Sequence, residues 1–232
     1  MYNILICDDE QEIRSALKIY LSGEDYVIFE AENGKQALEI VEKEDINLLL
    51  MDVMMPVMDG IAALTKLRET SNIPVILLTE KSQDMDKILG LNSGADDYIT
   101  KPFNPIEVTA RVKSQLRRYM RLGGTSDAAV KKSVLVNGRI EMDNVSKAVT
   151  LDGEPISLTP TELQLLKFFL ENTDKVFSPR EIYRFVWNDD PLGSENTVTV
   201  HIRHLREKIE INPARPDYLK VVWGHGDKME KK

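Results

Sequence analysis

The sequence has a single cysteine, Cys7, which excludes a disulfide within the chain and favours a reducing compartment such as the cytoplasm. It also lacks any apolar stretch close to the roughly 20 residues that a membrane-spanning helix needs. The residues after Met1 predict a strand and not a signal peptide, so we expect a cytoplasmic protein without a membrane partner. Cys7 falls inside the first apolar stretch and is predicted to be a core residue, not a reactive thiol.

An overall excess of basic residues is also missing, because the net charge is −8, which at first argues against a nucleic-acid partner. The charge is uneven, however. Residues 1–131 contain 15 Lys and Arg against 22 Asp and Glu, whereas residues 132–232 contain 15 against 16. The second part of the chain is therefore free to carry a local basic surface. A length of 232 residues fits one large domain or two ordinary ones.

Apolar and amphipathic stretches alternate through the first 120 residues. The predicted strands cover 3–7, 26–31, 47–52, 74–79 and 97–101, and the predicted helices cover 11–22, 35–44, 60–70, 84–92 and 105–119. Because parallel strands need helical crossovers, this order predicts an α/β doubly wound, five-stranded parallel sheet with helices on both faces. We assign residues 1–121 to this first domain.

A different pattern follows residues 122–133, which are small and polar and are predicted to form a flexible linker. From 134 to 232, short strand patterns punctuated by turns precede three helices and a terminal hairpin. The sequences TPTE (159–162) and SPRE (178–181) each predict the start of a helix with a capping box. The pattern predicts an α+β winged helix-turn-helix domain.

Acidic residues stand where the first and third predicted strands end. The carboxyl ends of parallel strands share one edge of a sheet, so Asp8, Asp9 and Asp52 are expected to meet there with Thr79 and Lys101. Three clustered carboxylates repel one another unless a cation joins them, and oxygen ligands suit Mg²⁺. A carboxylate near its reference pKa of about 4 is ionised at neutral pH and can attack a phosphoryl group without a general base. Asp52, on the central strand, is the predicted nucleophile.

Simpler interpretations exist for each residue alone. A single aspartate at a strand end usually caps a helix or forms a turn, and Lys101-Pro102 alone is an ordinary surface turn. A phosphatase or phosphotransferase with an aspartyl-phosphate intermediate is a second functional hypothesis. Haloacid-dehalogenase-type enzymes need an acid two residues after the nucleophile, and here Met54 stands at that position. A third hypothesis is a regulator whose output is constitutive protein binding.

The chain resembles bacterial two-component response regulators of the OmpR/PhoB type, which have a flavodoxin-like receiver domain. The motifs that carry the resemblance are DDE (8–10), MDVMMPVMDG (51–60), ILLTE (76–80), GADDYITKPF (94–103) and WGHG (223–226). The resemblance implies a non-enzymatic regulator that a sensor histidine kinase phosphorylates on Asp52. It implies Mg²⁺ bound by Asp8, Asp9, Asp52 and the backbone carbonyl of Met54, with Lys101 beside the acceptor. Thr79 would bond the phosphoryl group while Tyr98 rotates inward.

The resemblance also implies a homodimer that forms on phosphorylation. Across a two-fold axis, Lys87 would meet Glu107, Asp97 would meet Arg111, and Asp96 would meet Arg118. The apolar centre of the interface would consist of Ile88, Leu91 and Ala110. A two-fold interface is self-complementary, and these opposite charges meet that condition within one sequence.

The third helix of the second domain carries an apolar face formed by Val198, Ile202, Leu205 and Ile209. The opposite face is predicted to be exposed and consists of Thr197, Val200, Arg203, His204, Glu207 and Lys208. An exposed valine among polar groups suits a major groove, where it can contact a thymine methyl group. We therefore predict promoter DNA as a partner, with RNA polymerase as a further candidate. The predicted DNA contacts are Arg184, Thr197, Val200, His201, Arg203, His204 and Arg206.

The terminal hairpin departs from the family pattern. The family usually has tyrosine after the second glycine, and here Gly226 is followed by Asp227. Loss of the ring and gain of an anion near DNA are expected to weaken packing or DNA contact at the wing. His201 and His204 lie three residues apart, but no third ligand is evident, so DNA contact is the preferred explanation over a metal site.

Overall fold

The structure is a computed structural model that describes residues 1–23, 25–80, 93–123, 134–187 and 195–232. The chain divides into two compact units, Met1–Tyr119 and Met120–Lys232. None of the helices in the described part of the chain is long and apolar enough to cross a membrane.

The first unit contains a five-stranded parallel sheet, as the alternating pattern predicts. The strand order is β2-β1-β3-β4-β5, the order of flavodoxin-like folds. The strands are β1 (Tyr2–Cys7), β2 (Tyr26–Ala31), β3 (Leu48–Asp52), β4 (Val75–Glu80) and β5 (Asp97–Lys101). The helices are α1 (Gln11–Leu21), α2 (Gly34–Lys43), α3 (Gly60–Thr70) and α4 (Pro105–Gly123). The helix predicted over 84–92 lies outside the described residues.

The central strands consist mainly of apolar residues, which favours a sheet that is covered on both faces. All five residues of β3 are buried, and Cys7 is fully buried at the end of β1, as predicted for a core residue. One core cluster joins β1, β3 and β4 to α1 and α4 through Ile4, Leu17, Leu50, Ile76 and Val112. Helix α4 ends at Gly123, four residues later than predicted, so it includes the first two residues assigned to the linker.

The second unit has the predicted winged-helix architecture. A four-stranded antiparallel sheet comprises β6 (Val134–Asn137), β7 (Ile140–Asp143), β8 (Val149–Leu151) and β9 (Glu154–Pro155). The helices are α5 (Pro160–Glu171), α6 (Pro179–Trp187) and α7 (Glu195–Ile209), and the wing hairpin pairs β10 (Leu219–Val222) with β11 (Gly226–Met229).

Both predicted capping boxes are present. The Thr159 hydroxyl accepts from the backbone N–H of Glu162, whose carboxylate accepts from the backbone N–H of Thr159. Ser178 and Glu181 make the same reciprocal pair at the start of α6. These caps fix where α5 and α6 begin, and the buried faces of all three helices pack around Phe169 and Trp187.

Candidate functional site

The carboxyl ends of β1, β3, β4 and β5 bring the predicted acidic cluster together. Asp8 follows β1, Asp52 ends β3, and Lys101 ends β5. A pocket of about 220 Å³ opens at this edge of the sheet. It is lined by Asp9, Glu10, Asp52, Val53, Met54, Thr79, Glu80 and Lys101.

One ammonium group connects two of the three carboxylates. Lys101 Nζ lies 2.8 Å from Asp8 Oδ2 and 3.1 Å from Asp52 Oδ1. One carboxylate oxygen from each of Asp8, Asp9 and Asp52 lies within 4.8 Å of the others. Asp8 and Asp52 are buried and Asp9 is exposed, so the cluster has a solvent-facing side through which a ligand can enter.

Burial raises the pKa of Asp52 to about 6, because it outweighs the lowering effect of Lys101, and the charges of Asp8 and Asp9 add smaller upward contributions. The sequence interpretation assumed a pKa near the reference value, so the structure corrects it upward. Burial alone would lower the pKa of Lys101, but its contacts with Asp8 and Asp52 raise it, so its ammonium stays charged. Burial also raises the pKa of Cys7 to about 12, which agrees with an unreactive thiol.

The donor set of the pocket fits a hard divalent cation. Carboxylate oxygens of Asp8, Asp9 and Asp52 converge there, and a bound cation would offset their mutual repulsion together with Lys101. Receiver domains generally hold Mg²⁺ at an acidic pocket of this kind.

A buried arginine that the sequence interpretation missed supports the acidic segment after β1. Arg14 donates from Nη1 to the carbonyl oxygens of Asp8 and Asp9, at 2.7 and 3.2 Å. Its side chain is 8% exposed and also meets Glu30 and Glu32 at 3.6 and 3.2 Å. The available signal was its spacing with Leu17 and Leu21, which places a cation on the buried face of α1.

Gly60, the glycine of the MDG sequence that follows the acceptor, lies where the chain passes close to the end of β3. A Cβ atom at Gly60 would lie 2.1 Å from the carbonyl oxygen of Asp52, and the Gly60 N–H donates to Val53 O at 2.9 Å. The chain therefore returns against the end of β3 at a distance that only glycine permits. Asp59 then caps α3, because its carboxylate accepts from the Ala62 N–H at 2.7 Å.

Substitution of Gly60 with alanine is expected to displace the acceptor strand. The added methyl group has to push the Asp52 carbonyl away, which should lower the free energy of unfolding by about 1–3 kcal/mol. Urea unfolding measures this change. Gly23→Ala is the matched control, because a Cβ there meets nothing within 4 Å. Equal stability of the Gly60 and Gly23 variants would contradict the close approach.

The remaining residues assigned to the receiver pocket lie on or near it. Thr79 is buried on β4 beside the acceptor, and Tyr98 is half-buried on the neighbouring strand β5. The Met54 side chain is 62% exposed in the β3–α3 loop. A thioether at this position cannot act as the second acid of a haloacid-dehalogenase-type enzyme, so the structure does not favour that alternative.

The surface assigned to dimerisation is described only in part. Lys87, Ile88, Leu91 and the side chain of Arg118 lie outside the described residues. Arg111 binds Asp97 with Nη1 at 2.9 and 3.0 Å and Glu107 at 2.9 Å within the same chain. Ala110 is exposed on α4.

The assignment of Asp96 to the dimer interface needs correction. Asp96 is fully buried, and its carboxylate accepts from Arg68 Nη2 at 3.0 Å and from the Val75 N–H at 2.9 Å. A carboxylate that is shielded and bonded inside its own chain does not face a second copy. The sequence interpretation failed here because Arg68 lies 28 residues away on α3.

The apolar face of α7 is confirmed, but the predicted exposed face is wrong in part. Thr197 is fully buried, and His201 and His204 are 1% and 7% exposed. The His201 ring lies 5.6 Å from the Trp187 ring. Burial lowers the pKa of His204, against the opposing effect of nearby carboxylates, so this imidazole is a poor contact for phosphate. These three residues are withdrawn from the DNA-facing set.

Other predicted DNA contacts are accessible. Arg184 on α6 and Arg203 on α7 are exposed. Val200, three residues before Arg203 on α7, is partly exposed. Trp223, at the tip of the wing hairpin, is 91% exposed and was not predicted as a contact. Arg206 is only partly exposed, because it binds Asp227 with a distance of 2.8 Å.

Comparisons with known proteins agree with both units. The response regulator receiver domain family matches residues 4–113, and the family of the C-terminal domain of transcriptional regulatory proteins matches residues 153–228. The regulatory protein VanR of Enterococcus faecium is 42% identical over 229 residues, 98% of each protein. The transcriptional regulatory protein ResD of Bacillus subtilis is 40% identical over 228 residues, 98% of this chain and 95% of ResD. Response regulator DrrB of Thermotoga maritima, an OmpR/PhoB homologue, has a TM-score of 0.51 at 32% identity over 99% of both chains.

An acidic pocket on a doubly wound sheet, joined to a winged helix, defines a class of regulators in which a chemical signal received by one domain controls a DNA-binding domain. The chain belongs to the OmpR/PhoB-type family of response regulators, the transcriptional regulators of two-component systems. The resemblance inferred from the sequence motifs is thereby confirmed.

Proposed function

We propose that Asp52 is the phosphoacceptor of this regulator and that a sensor histidine kinase is the donor. The observation that carries the proposal is the Lys101 ammonium, held between Asp8 and Asp52 at 2.8 and 3.1 Å beside a third carboxylate. Asp8, Asp9, Asp52 and the backbone carbonyl of Met54 would hold Mg²⁺. Bound Mg²⁺ would neutralise negative charge on the transferring phosphoryl group.

The proposed step transfers one phosphoryl group between two side chains. An Asp52 carboxylate oxygen attacks the phosphorus, the bond from phosphorus to the kinase imidazole nitrogen breaks, and the electron pair returns to that nitrogen. Lys101 stabilises the equatorial oxygens electrostatically. In the acyl phosphate, the Thr79 hydroxyl would donate to a phosphoryl oxygen, and Tyr98 would move toward the space that Thr79 leaves.

The proposed output is a homodimer bound to promoter DNA. The α4 surface at Ala110 and Glu107 is the described part of the proposed dimer surface. Asp97 and Arg111 are buried and paired within one chain, so their pairing across the two-fold axis would require an exchange of these bonds. Arg184 and Arg203 would contact phosphates, and Val200 would enter the major groove. Because the targets are promoters, we place this activity in the cytoplasm, and RNA polymerase is the further partner to test.

Phosphorylation of the native chain is tested by intact mass. Incubation with acetyl phosphate and Mg²⁺ should add the mass of one phosphoryl group. Prior removal of the metal with a chelator should abolish the gain, because Asp8, Asp9 and Asp52 then repel the incoming anion. An equal gain in chelator would contradict the proposed metal dependence, and no gain with Mg²⁺ present would contradict the acceptor role.

DNA binding is tested by recovering duplexes from a randomised pool with the phosphorylated chain. Affinity for a recovered duplex should fall steeply with added salt, because each neutralised phosphate contributes a slope of about −0.9 to log K against log salt. Recovery of no sequence, or binding that is independent of salt, would favour the alternative in which the output is constitutive protein binding.

A further inference from the structure

Asp227 joins three elements of the winged helix. Its side chain Oδ1 lies 2.8 Å from Nη2 of Arg206 on α7. Its backbone N–H and carbonyl pair with the carbonyl and N–H of Phe177, each at 3.0 Å, in the segment before α6. One residue of the wing strand β11 is therefore bonded to the third helix and to the chain that leads into the second helix.

The ion pair between Arg206 and Asp227 is largely shielded from solvent, and the Arg206 guanidinium contacts both strands of the hairpin. The side chains of Arg206 and Asp227 are 13% and 14% exposed. Arg206 Nε also donates to the Leu219 carbonyl of β10 at 2.8 Å. Nε and Nη2 of Arg206 are both engaged by the hairpin, so its predicted phosphate contact would compete with these bonds. The expectation that Asp227 weakens packing or DNA contact at the wing did not include this bond, which stabilises the wing against α7.

The base of the hairpin is held by other contacts. The Glu210 carboxylate accepts three backbone N–H groups at the start of β10, from Asp217, Tyr218 and Leu219, at 2.8–3.0 Å. A Cβ atom at Gly226 would lie 2.0 Å from the Phe177 carbonyl oxygen, so the register of β11 is fixed there. Loss of the Asp227 charge should therefore leave the hairpin folded and weaken its attachment to α7, where the Arg206 bond to the Leu219 carbonyl remains.

We infer that Asp227 and Arg206 form a positioning pair that fixes the wing relative to α7, so that both contact one DNA duplex in a single register. The inference rests on the proposed DNA-binding function. The wing tip that the pair would position carries Trp223, whose ring is 91% exposed and would be available to a DNA duplex bound at α7.

The test compares two duplexes with the full-length phosphorylated chain. One is recovered from a randomised pool by the parent chain, and the other lacks the flanking base pairs that the wing protects in a footprint. The parent should bind the longer duplex more tightly. Asp227→Asn and Arg206→Gln should each weaken binding to the longer duplex about tenfold and change binding to the shorter one little, and the double variant should be no worse than either.

Asp152→Asn is the matched control, since it removes an aspartate paired with an arginine at 2.9 Å elsewhere in the same unit. A general loss of folding would lower affinity for both duplexes equally. The inference is overturned if Asp227→Asn tightens binding while Arg206→Gln reduces the salt slope by about one phosphate contact, because Arg206 would then bind phosphate and Asp227 would only mask it.

Failure of the proposed function gives a different result. If the parent recovers no duplex, DNA binding itself is contradicted, and the pair is then tested by urea unfolding of the same four proteins. The two single variants should unfold at lower urea concentrations than the parent, with effects that do not add in the double variant. Additive effects would contradict the pairing.

Discussion

Replacement of Asp52 with asparagine is expected to abolish phosphoryl uptake from acetyl phosphate while leaving the chain at least as stable as the parent. An amide has no anionic oxygen to attack phosphorus, so the loss should be complete within the sensitivity of intact mass measurement. Asp52→Ala, which cannot regenerate the acid by amide hydrolysis, should give the same result.

The stability expectation follows from the sign of the pKa shift. Folding raises the pKa of Asp52 to about 6, so the folded chain disfavours the charged carboxylate relative to the unfolded chain. This unfavourable contribution is absent at low pH and develops as the pH rises past the unfolded pKa. A neutral isostere removes it at pH 7, while Lys101 keeps its 2.8 Å bond to Asp8. Thermal unfolding should therefore begin no earlier in the variant than in the parent.

Asp59→Asn is the matched control for the acceptor substitution. Asp59 lies in the same loop, is exposed, and caps α3, and asparagine is an equally good N-cap residue. This variant should take up one phosphoryl group as the parent does. If Asp52→Asn gains the same mass as the parent, another residue accepts the group and the proposed function fails at its first step.

The sheet and its acidic edge were predictable because they depend on short-range patterns. Continuous apolar strands separated by amphipathic helices allow one architecture, and strand ends in a parallel sheet share an edge. Asp8, Asp52 and Lys101 could be brought together from sequence on that ground alone. Their distances and the raised pKa of Asp52 could not, because burial at the strand end depends on the packed structure.

Charged residues that pair over long separations were the main failure of the sequence interpretation. Arg68 with Asp96 and Arg206 with Asp227 are 28 and 21 residues apart, and no local pattern links them. The sequence predicts an exposed position for Asp96, Arg206 and Asp227 and no role for Arg68, because charged residues are mostly exposed. The structure instead uses these pairs to join elements.

The exposed face of α7 was overestimated for a related reason. A single apolar stripe at Val198, Ile202, Leu205 and Ile209 predicts contact on one side of the helix. Beside this apolar stripe, Thr197, His201 and His204 follow one another at spacings of four and three residues, and neighbouring elements bury these side chains too. Lys208 extends this contact, since its ammonium binds Glu162 of α5 at 2.6 Å. Helix periodicity identifies the most buried face but not the width of the buried region.

Ala110→Glu is expected to prevent the dimer that phosphorylation promotes. Ala110 is exposed on α4 next to Glu107 and Arg111, so the substitution should leave the isolated chain folded. In a two-fold dimer it would add one carboxylate from each copy near the apolar centre of the interface. Juxtaposed like charges and loss of apolar contact cost several kcal/mol, so the dimer should weaken by about 100-fold or more.

Ala110→Glu is a better test of this surface than charge reversal at Arg111. The Arg111 guanidinium is 9% exposed and lies between Asp97 and Glu107, and its replacement with glutamate would leave those carboxylates unpaired. Breaking a buried pair in this way costs about 3–5 kcal/mol, so Arg111→Glu would confuse unfolding with loss of the dimer.

Sedimentation velocity of the phosphorylated chain measures the association directly. The parent should sediment as a dimer at micromolar concentration, and Ala110→Glu should sediment as a monomer that has gained the same phosphoryl mass. Ala62→Glu makes the same substitution at an exposed position of α3, where an acid in the first turn of the helix is favourable for folding. Because α3 is not part of the proposed dimer surface, this variant should dimerise as the parent does. If Ala110→Glu dimerises as tightly as Ala62→Glu, the two copies do not associate through α4. The exposed part of α4 would then belong to another contact, and the opposite charges around it would not be explained by two-fold self-complementarity.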